Sequence, residues 1–210
     1  MNNTANKISS ALLKIKAVKL SAKEPFTWAS GWKSPIYCDN RKTLSYPSVR
    51  ALICESFASY IKEYYPETEV IAGVATGAIA HGVLVAEALG LPFVYVRSAA
   101  KSHGLENLVE GDLQANSKVV VIEDLISTGG SSIAAVESLR KAGANVLGLL
   151  AIFSYEFKVA EDNFKKANCC YKTLSCYSIL LEEALKDNYI AKENLETLRK
   201  WREKPDKYEI

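Results

Sequence analysis

The chain has 210 residues, 49% of them apolar, and its 26 Lys and Arg against 24 Asp and Glu leave a formal net charge of +2. That length fits one α/β domain with some decoration, and the apolar fraction suffices for a sizeable core. A near-neutral balance without a basic tail argues against a nucleic-acid partner, no run reaches membrane-spanning length, and any anion site must be local. The first residues, MNNTANKISSALLKIKAVKL, hold no apolar stretch long enough for a signal peptide, so the cytoplasm is the expected compartment. The five cysteines (Cys38, Cys54, Cys169, Cys170, Cys176) are odd in number and form no CxxC pair, which predicts free thiols and no zinc site. Cys169 and Cys170 are expected as small side chains in a strand rather than as a redox pair.

Residues 5–20 place Ile8, Leu12, Ile15 and Leu20 near helical spacing and predict an amphipathic helix that caps the sheet from outside. Residues 26–50, FTWASGWKSPIYCDNRKTLSYPSVR, are rich in aromatics, turn formers and basic groups. Residues 27–28 and 36–38 read as two short strands joined across Ser30 and Gly31, with Pro35 keeping the pair at an edge. Two readings fit this stretch: aromatics that cover the core, or aromatic faces beside Lys33 and Arg41 that receive a flat anionic ring.

Pro47 opens a helix to about Tyr64, and EVIAGVA (69–75) is a buried strand that runs into Thr76 and Gly77. The helical AIAHGVLVAEALG follows, with Gly90 as its stop. The turn at Thr76 and Gly77 is open enough for an anion, and equally reads as an ordinary strand-to-helix turn; His81 reads as a packed histidine. PFVYVR (92–97) is the next strand, ending at Arg97, and SAAKSHGLENLVEGDLQANS after it is polar and Gly-punctuated. A loop that long in a compact domain usually serves function or is disordered. It carries Lys101 and His103, which in an extended segment share a face and can close on a leaving diphosphate, with Gly104 as hinge.

The chain is organised around VVVIEDLISTGGSS (119–132). Its continuous β-branched run suits a strand covered on both faces, and the Gly pair with its hydroxyls suits a loop whose backbone N–H groups converge on an anion at a helix N-terminus. The loop lacks the Lys of a P-loop and the spacing of a dinucleotide fold. Glu123 and Asp124 would repel phosphate unless they bind sugar hydroxyls, so the site reads as one for a ribose 5-phosphate. Residues 131–142 then form a helix ended by Gly143, and VLGLLAIF (146–153) a buried strand. Segments 158–167, 176–185 and 191–202 look helical and 169–174 extended. The alternation predicts an α/β fold with a central parallel sheet flanked by helices and right-handed crossovers.

VVVIEDLISTGGSS resembles the phosphoribosyl pyrophosphate (PRPP) signature of the type I phosphoribosyltransferases. SGWKSPIYCDNR resembles the N-terminal hood of the orotate phosphoribosyltransferases, and VRSAAKSHGLEN their mobile catalytic loop. The resemblance implies one domain over 1–210, with a hood over about 1–46, a core over about 47–175 and C-terminal helices over about 176–210. It implies Mg²⁺-dependent transfer of a phosphoribosyl group from PRPP to orotate in pyrimidine synthesis, in a homodimer whose loop reaches the neighbouring subunit's site. By the same resemblance Lys101, His103 and Asp124 are the catalytic residues. PRPP binding falls to Arg97, Lys101, His103, Glu123, Asp124, Leu125, Ile126, Ser127, Thr128, Gly129, Gly130 and Ser131, with Thr76 and Gly77 at the diphosphate. Ser127, Lys33, Tyr37 and Arg41 are the candidates for orotate, and no residue is assigned to the metal. Departures are Ser98 and Ala29, each where some members carry Lys, and Tyr155, where some carry Arg. A purine or uracil phosphoribosyltransferase would lack the hood, and a PRPP-sensing regulator would keep the fold without the chemistry.

Overall fold

The computed structural model describes residues 2–28, 31–98 and 108–207. Helix α1 (Asn2–Lys14) buries Ile8, Leu12 and Leu13, and it ends sooner than the spacing predicts. Lys16 takes a left-handed φ of 56° and the chain turns extended as β1 (Val18–Leu20), so Leu20 belongs to a strand. The hood also pairs differently from expectation. β2 (Phe26–Thr27) is antiparallel to β3 (Lys33–Ser34), whereas β4 (Ile36–Cys38) is antiparallel to β1. Pro35, which has no N–H to give a ladder, stands between β3 and β4 where the chain changes partner. A 3₁₀ turn (Asn40–Ser45) leads to α2 (Pro47–Tyr64), with proline at its first helical position.

The core alternation follows: β5 (Val70–Val74), α3 (Ile79–Leu89), β6 (Phe93–Val96), β7 (Val109–Glu110), β8 (Lys118–Ile126), α4 (Gly130–Lys141), β9 (Asn145–Ser154), α5 (Lys158–Lys166), β10 (Tyr171–Cys176), α6 (Tyr177–Lys186) and α7 (Leu195–Glu203). The sheet order is β10-β9-β8-β5-β6-β7, parallel except for β7, which runs antiparallel to β6. Strand β8 shows why the sheet forms. Val120 and Ile122 pack with α1, α2, α3 and α6, while Val119 and Val121 pack with α4 and α5, so the β-branched run is buried on both faces. The polar stretch after Arg97 contains β7, which runs antiparallel to β6 at the sheet edge, with Arg97 N–H donating to Leu108 O at 2.9 Å.

Cys169 and Cys170 precede β10 rather than lie within it, the first buried and the second exposed, and the five cysteines are free. The chain ends are sewn together: the hydroxyls of Ser9 and Ser175 meet at 2.6 Å, and Asn6 Nδ2 donates to Glu183 Oε1 at 2.8 Å. From β5 the chain steps to β6 on one side and to β8 on the other. The carboxyl ends of β5 and β8 therefore flank the point where the strand order reverses, the place at which open α/β sheets bind ligands.

Candidate active site

The ends of β5 and β8 are paired neighbours, with Gly73 opposite Ile122, which sets the 75–78 turn beside the 127–129 loop. The Ala75–Thr76 peptide is cis. A Cβ added to Gly77 would lie 2.3 Å from Asp124 Oδ2, so glycine is what lets this turn come up against the carboxylate. Thr76, Gly77 and Asp124 are thus brought together.

In the loop itself, Gly129 has φ +80° and stands at the cap position of α4. A Cβ there would meet Phe164 Cε2 at 2.8 Å. Having no side chain, Gly129 leaves the first-turn N–H groups of α4 to an incoming anion, at the positive end of the helix dipole. Asn163 Nδ2 donates to Thr128 O at 3.0 Å, so α5 props the loop from below. Ser127 and Thr128 are half-buried and Gly130 and Ser131 exposed, whereas Ile126 is fully buried and offers a ligand only backbone; its carbonyl already accepts from Tyr155 N–H at 3.1 Å.

The two acids are unequal. Glu123 is only 4% exposed; its Oε1 accepts from Asp124 N–H at 2.9 Å and its Oε2 from the Ser132 hydroxyl at 2.8 Å. Burial first, and then the Asp124 carboxylate, push the Glu123 carboxyl up to about 8. The expected pair of sugar-binding carboxylates therefore divides: Asp124 is presented at the turn, and Glu123 braces the Asp124 peptide from inside.

A second brace comes from the hood. Asn40 Nδ2 donates to Asp124 O at 2.6 Å, and the Cys38 thiol donates to Asn40 Oδ1 at 3.4 Å. The Thr43 hydroxyl spends its one proton on Asn40 O (2.5 Å), so His81 must donate from Nε2 to Thr43 Oγ1 at 3.0 Å. His81 is buried, its Nδ1 has no partner, and burial and then Arg50 lower it to about 4. It is a packed neutral histidine, as the sequence predicts.

Beside the loop, the hood roofs a cavity of about 270 Å³ lined by Thr27, Trp28, Tyr37, Cys38, Leu125, Ser127 and Tyr155. Trp28 stacks on Tyr155 with ring centres 5.0 Å apart, and its Nε1–H donates to Ile36 O at 3.1 Å. Of the four residues expected at a ring, Tyr37 and Ser127 line this cavity. Lys33 reaches its rim, donating to Thr27 Oγ1 at 2.8 Å, while Arg41 is outside the lining and grips Asp39 through Nε at 2.7 Å and Nη2 at 3.1 Å. Arg97 directly follows β6 and pairs with Glu110 at 3.3 Å. Lys101 and His103 lie outside the described residues. Asn40, Trp28, Cys38 and Tyr155 were not anticipated as site residues; Trp28 and Tyr155 carried a signal, an aromatic in the hood and a substituted position after the last core strand. Among the described residues no group of three His, Cys, Asp or Glu side chains could hold a metal ion.

Residues 42–186 match the phosphoribosyl transferase domain. The chain is 58% identical over 210 residues to an orotate phosphoribosyltransferase of Porphyromonas gingivalis, covering all of both chains. Among solved structures it resembles the orotate phosphoribosyltransferase of Aeropyrum pernix (TM-score 0.76, 26% identity, 88% of this chain and 99% of that one). It also resembles a UMP synthase of Leishmania donovani (TM-score 0.80, 25% identity), where it covers 94% of its own length and 42% of that chain.

Proposed function

The chain belongs to the orotate phosphoribosyltransferases, within the phosphoribosyltransferase family, and from that premise we infer that it transfers the phosphoribosyl group of PRPP to orotate in the synthesis of pyrimidine nucleotides. The products are orotidine 5-phosphate and diphosphate. One observation carries the reading: Asp124 faces the Gly77 turn at the reversal point of the sheet, between a phosphate loop and an aromatic cavity that opens at Ser127.

N1 of orotate gives up its proton and forms the new bond to ribose C1 as the bond from C1 to the diphosphate oxygen breaks; diphosphate departs with that electron pair and takes up the proton. No covalent nucleophile is needed. The enzyme must hold two anions in line, keep water out and meet the charge that moves from sugar to leaving group. Ser127 to Ser131 and the first turn of α4 would take the 5-phosphate. Asp124 would hold ribose hydroxyls and favour the positive charge on the sugar, with Glu123 and Asn40 fixing its peptide. Thr76 and Gly77 would take the diphosphate, with Arg97 at the base of the loop that carries Lys101 and His103. Orotate would lie on the Trp28 and Tyr155 side of the cavity against Tyr37 and Ser127, its carboxylate toward Lys33; Arg41 would have to leave Asp39 to reach it.

Mg²⁺, when bound, would neutralise the diphosphate as it leaves. A single presented carboxylate, Asp124, fits an ion that keeps most of its shell in waters and substrate oxygens rather than in a protein cage. Membership of the family supports a homodimer with shared sites; light scattering on a sizing column reads the mass. Five free thiols support a cytoplasmic setting. The deciding experiment follows orotate absorbance with purified protein, PRPP and Mg²⁺, then substitutes uracil, hypoxanthine and adenine. Consumption of orotate alone is expected; PRPP binding without turnover of any base would make the chain a sensor.

A further inference from the structure

The cavity wall is held by a part of the chain that the chemistry leaves unused. Trp201 of α7 is 2% exposed and meets, edge to face, both rings that form the wall: Trp28 and Tyr155, each with centres 5.8 Å away. Phe157 and Tyr177 close round it at 5.2 Å. The helix is fixed in place by polar contacts at several points. The Tyr177 hydroxyl donates to Leu198 O at 2.9 Å, and Arg202 Nη1 donates to Oε2 of Glu156, the residue after Tyr155, at 3.1 Å and to Ser178 Oγ at 2.5 Å. The 3₁₀ turn Pro205–Lys207 then packs on β3 of the hood. The hood strands β1 to β4 and α7 lie outside residues 42–186, the part that matches the family's domain.

We propose that α7 is the back wall of the base subsite, and that Trp201 is a positioning residue which sets the breadth of that subsite through Trp28 and Tyr155. The two chain ends, folded back on one another, thereby confine the slot to a single six-membered ring. The proposal rests on reading the aromatic cavity as the orotate subsite. A shorter side chain at 201 leaves space behind both rings: Tyr155 keeps an edge contact with Phe153 at 5.9 Å, but the Trp201 edge is what backs Trp28 and Tyr155 together, so their pair tilts back and the slot widens.

Steady-state kinetics with the full chain, varying orotate and PRPP separately, test this. Trp201→Leu should raise KM for orotate about tenfold while leaving KM for PRPP within about twofold, and Trp201→Phe should restore most of the difference. The leucine variant should also begin to use hypoxanthine. An orotate KM within about twofold of wild type, or parallel rises in both KM values, overturns the proposal. Should Trp201→Leu fail to give a folded protein, Arg202→Met, at a half-exposed side chain, frees α7 from Glu156 and Ser178. It should raise orotate KM about threefold with PRPP unaffected, and no change would count against the proposal equally. Wild type that binds PRPP and consumes no orotate would sink the base-subsite reading itself, before any variant is compared.

Discussion

At position 77 a single hydrogen atom decides what the site can hold. A methyl group on Gly77 would occupy space 2.3 Å from Asp124 Oδ2, so Gly77→Ala must push the carboxylate away from the turn. Displacement of a charged group by about an ångström at a reacting centre costs on the order of 10²-fold, and kcat/KM for PRPP in Gly77→Ala should fall by about that amount. Activity within twofold of wild type would mean that Asp124 does not hold the ribose. Asn40→Ala removes the donor on Asp124 O and should act in the same direction but less, roughly tenfold, because Glu123 still braces the Asp124 N–H. Turnover equal to wild type in that variant would reduce Asn40 to a hood contact. Lys101 belongs to the sequence argument alone: a cation on the leaving diphosphate is strongest at the transition state, so Lys101→Ala should lower kcat roughly 10²-fold with little change in orotate KM.

Among the elements, α5 is the one whose service to the site is least visible from its own sequence. It supplies Asn163 to the Thr128 carbonyl and Phe164 to the underside of Gly129, so the phosphate loop rests on it rather than on solvent. Gly129→Ala meets both a φ of +80° and the Phe164 ring, and should cost about 1–3 kcal/mol of stability together with PRPP affinity. Asn163→Ala should weaken PRPP and leave urea stability within about 1 kcal/mol, since it loses one hydrogen bond at a half-buried site; equal stability loss in the two variants would contradict that split. The loop's existence was legible because its signal is local: a β-branched run, a Gly pair and a helix, all contiguous. Gly90 and Gly143 as helix stops were legible for the same reason. The hood strands were not, since two or three residues show no periodicity, and β4 finds its partner in β1, across the whole β2–β3 hairpin. Nor could the sequence divide Glu123 from Asp124, because the difference arises from Ser132, nine residues on, and from burial that only packing creates. The aromatic wall needed α7 to fold back over the hood, a contact between residues 28 and 201 with no local trace.

Across the whole molecule, two buried titrating groups in the same network set a pH profile of opposite signs. His81 sits at about 4 in the native state against an ordinary value of 6.5, so only the unfolded chain binds a proton between those values, and stability is lost as pH falls from 6.5 toward 4. Glu123 sits at about 8 against an ordinary 4.5, so only the native chain holds a proton in that range. Its contribution is complete below 4.5 and is lost as pH rises through 8. From 4.5 to 6.5 the two slopes oppose each other, each worth about 1.4 kcal/mol per pH unit, and should nearly cancel. Unliganded protein should therefore show a plateau in that window, a decline on the alkaline side owed to Glu123, and a decline on the acid side shared by His81 and Glu156, whose carboxyl is held down by Ser178 and Arg202. Thermal or urea unfolding at half-unit pH steps separates the two. Glu123→Gln keeps the shape and the acceptor for Asp124 N–H and should abolish the alkaline decline between 6.5 and 8, while His81→Gln should replace the plateau with a continuous fall from 4.5 to 8. If Glu123→Gln kept the wild-type alkaline decline, the proton would belong elsewhere, and Glu123 would be an ionised buried partner of Ser132 and of the Asp124 N–H. Loss of the decline would instead place the proton on Glu123, a neutral brace beneath Asp124, the carboxylate that meets the Gly77 turn.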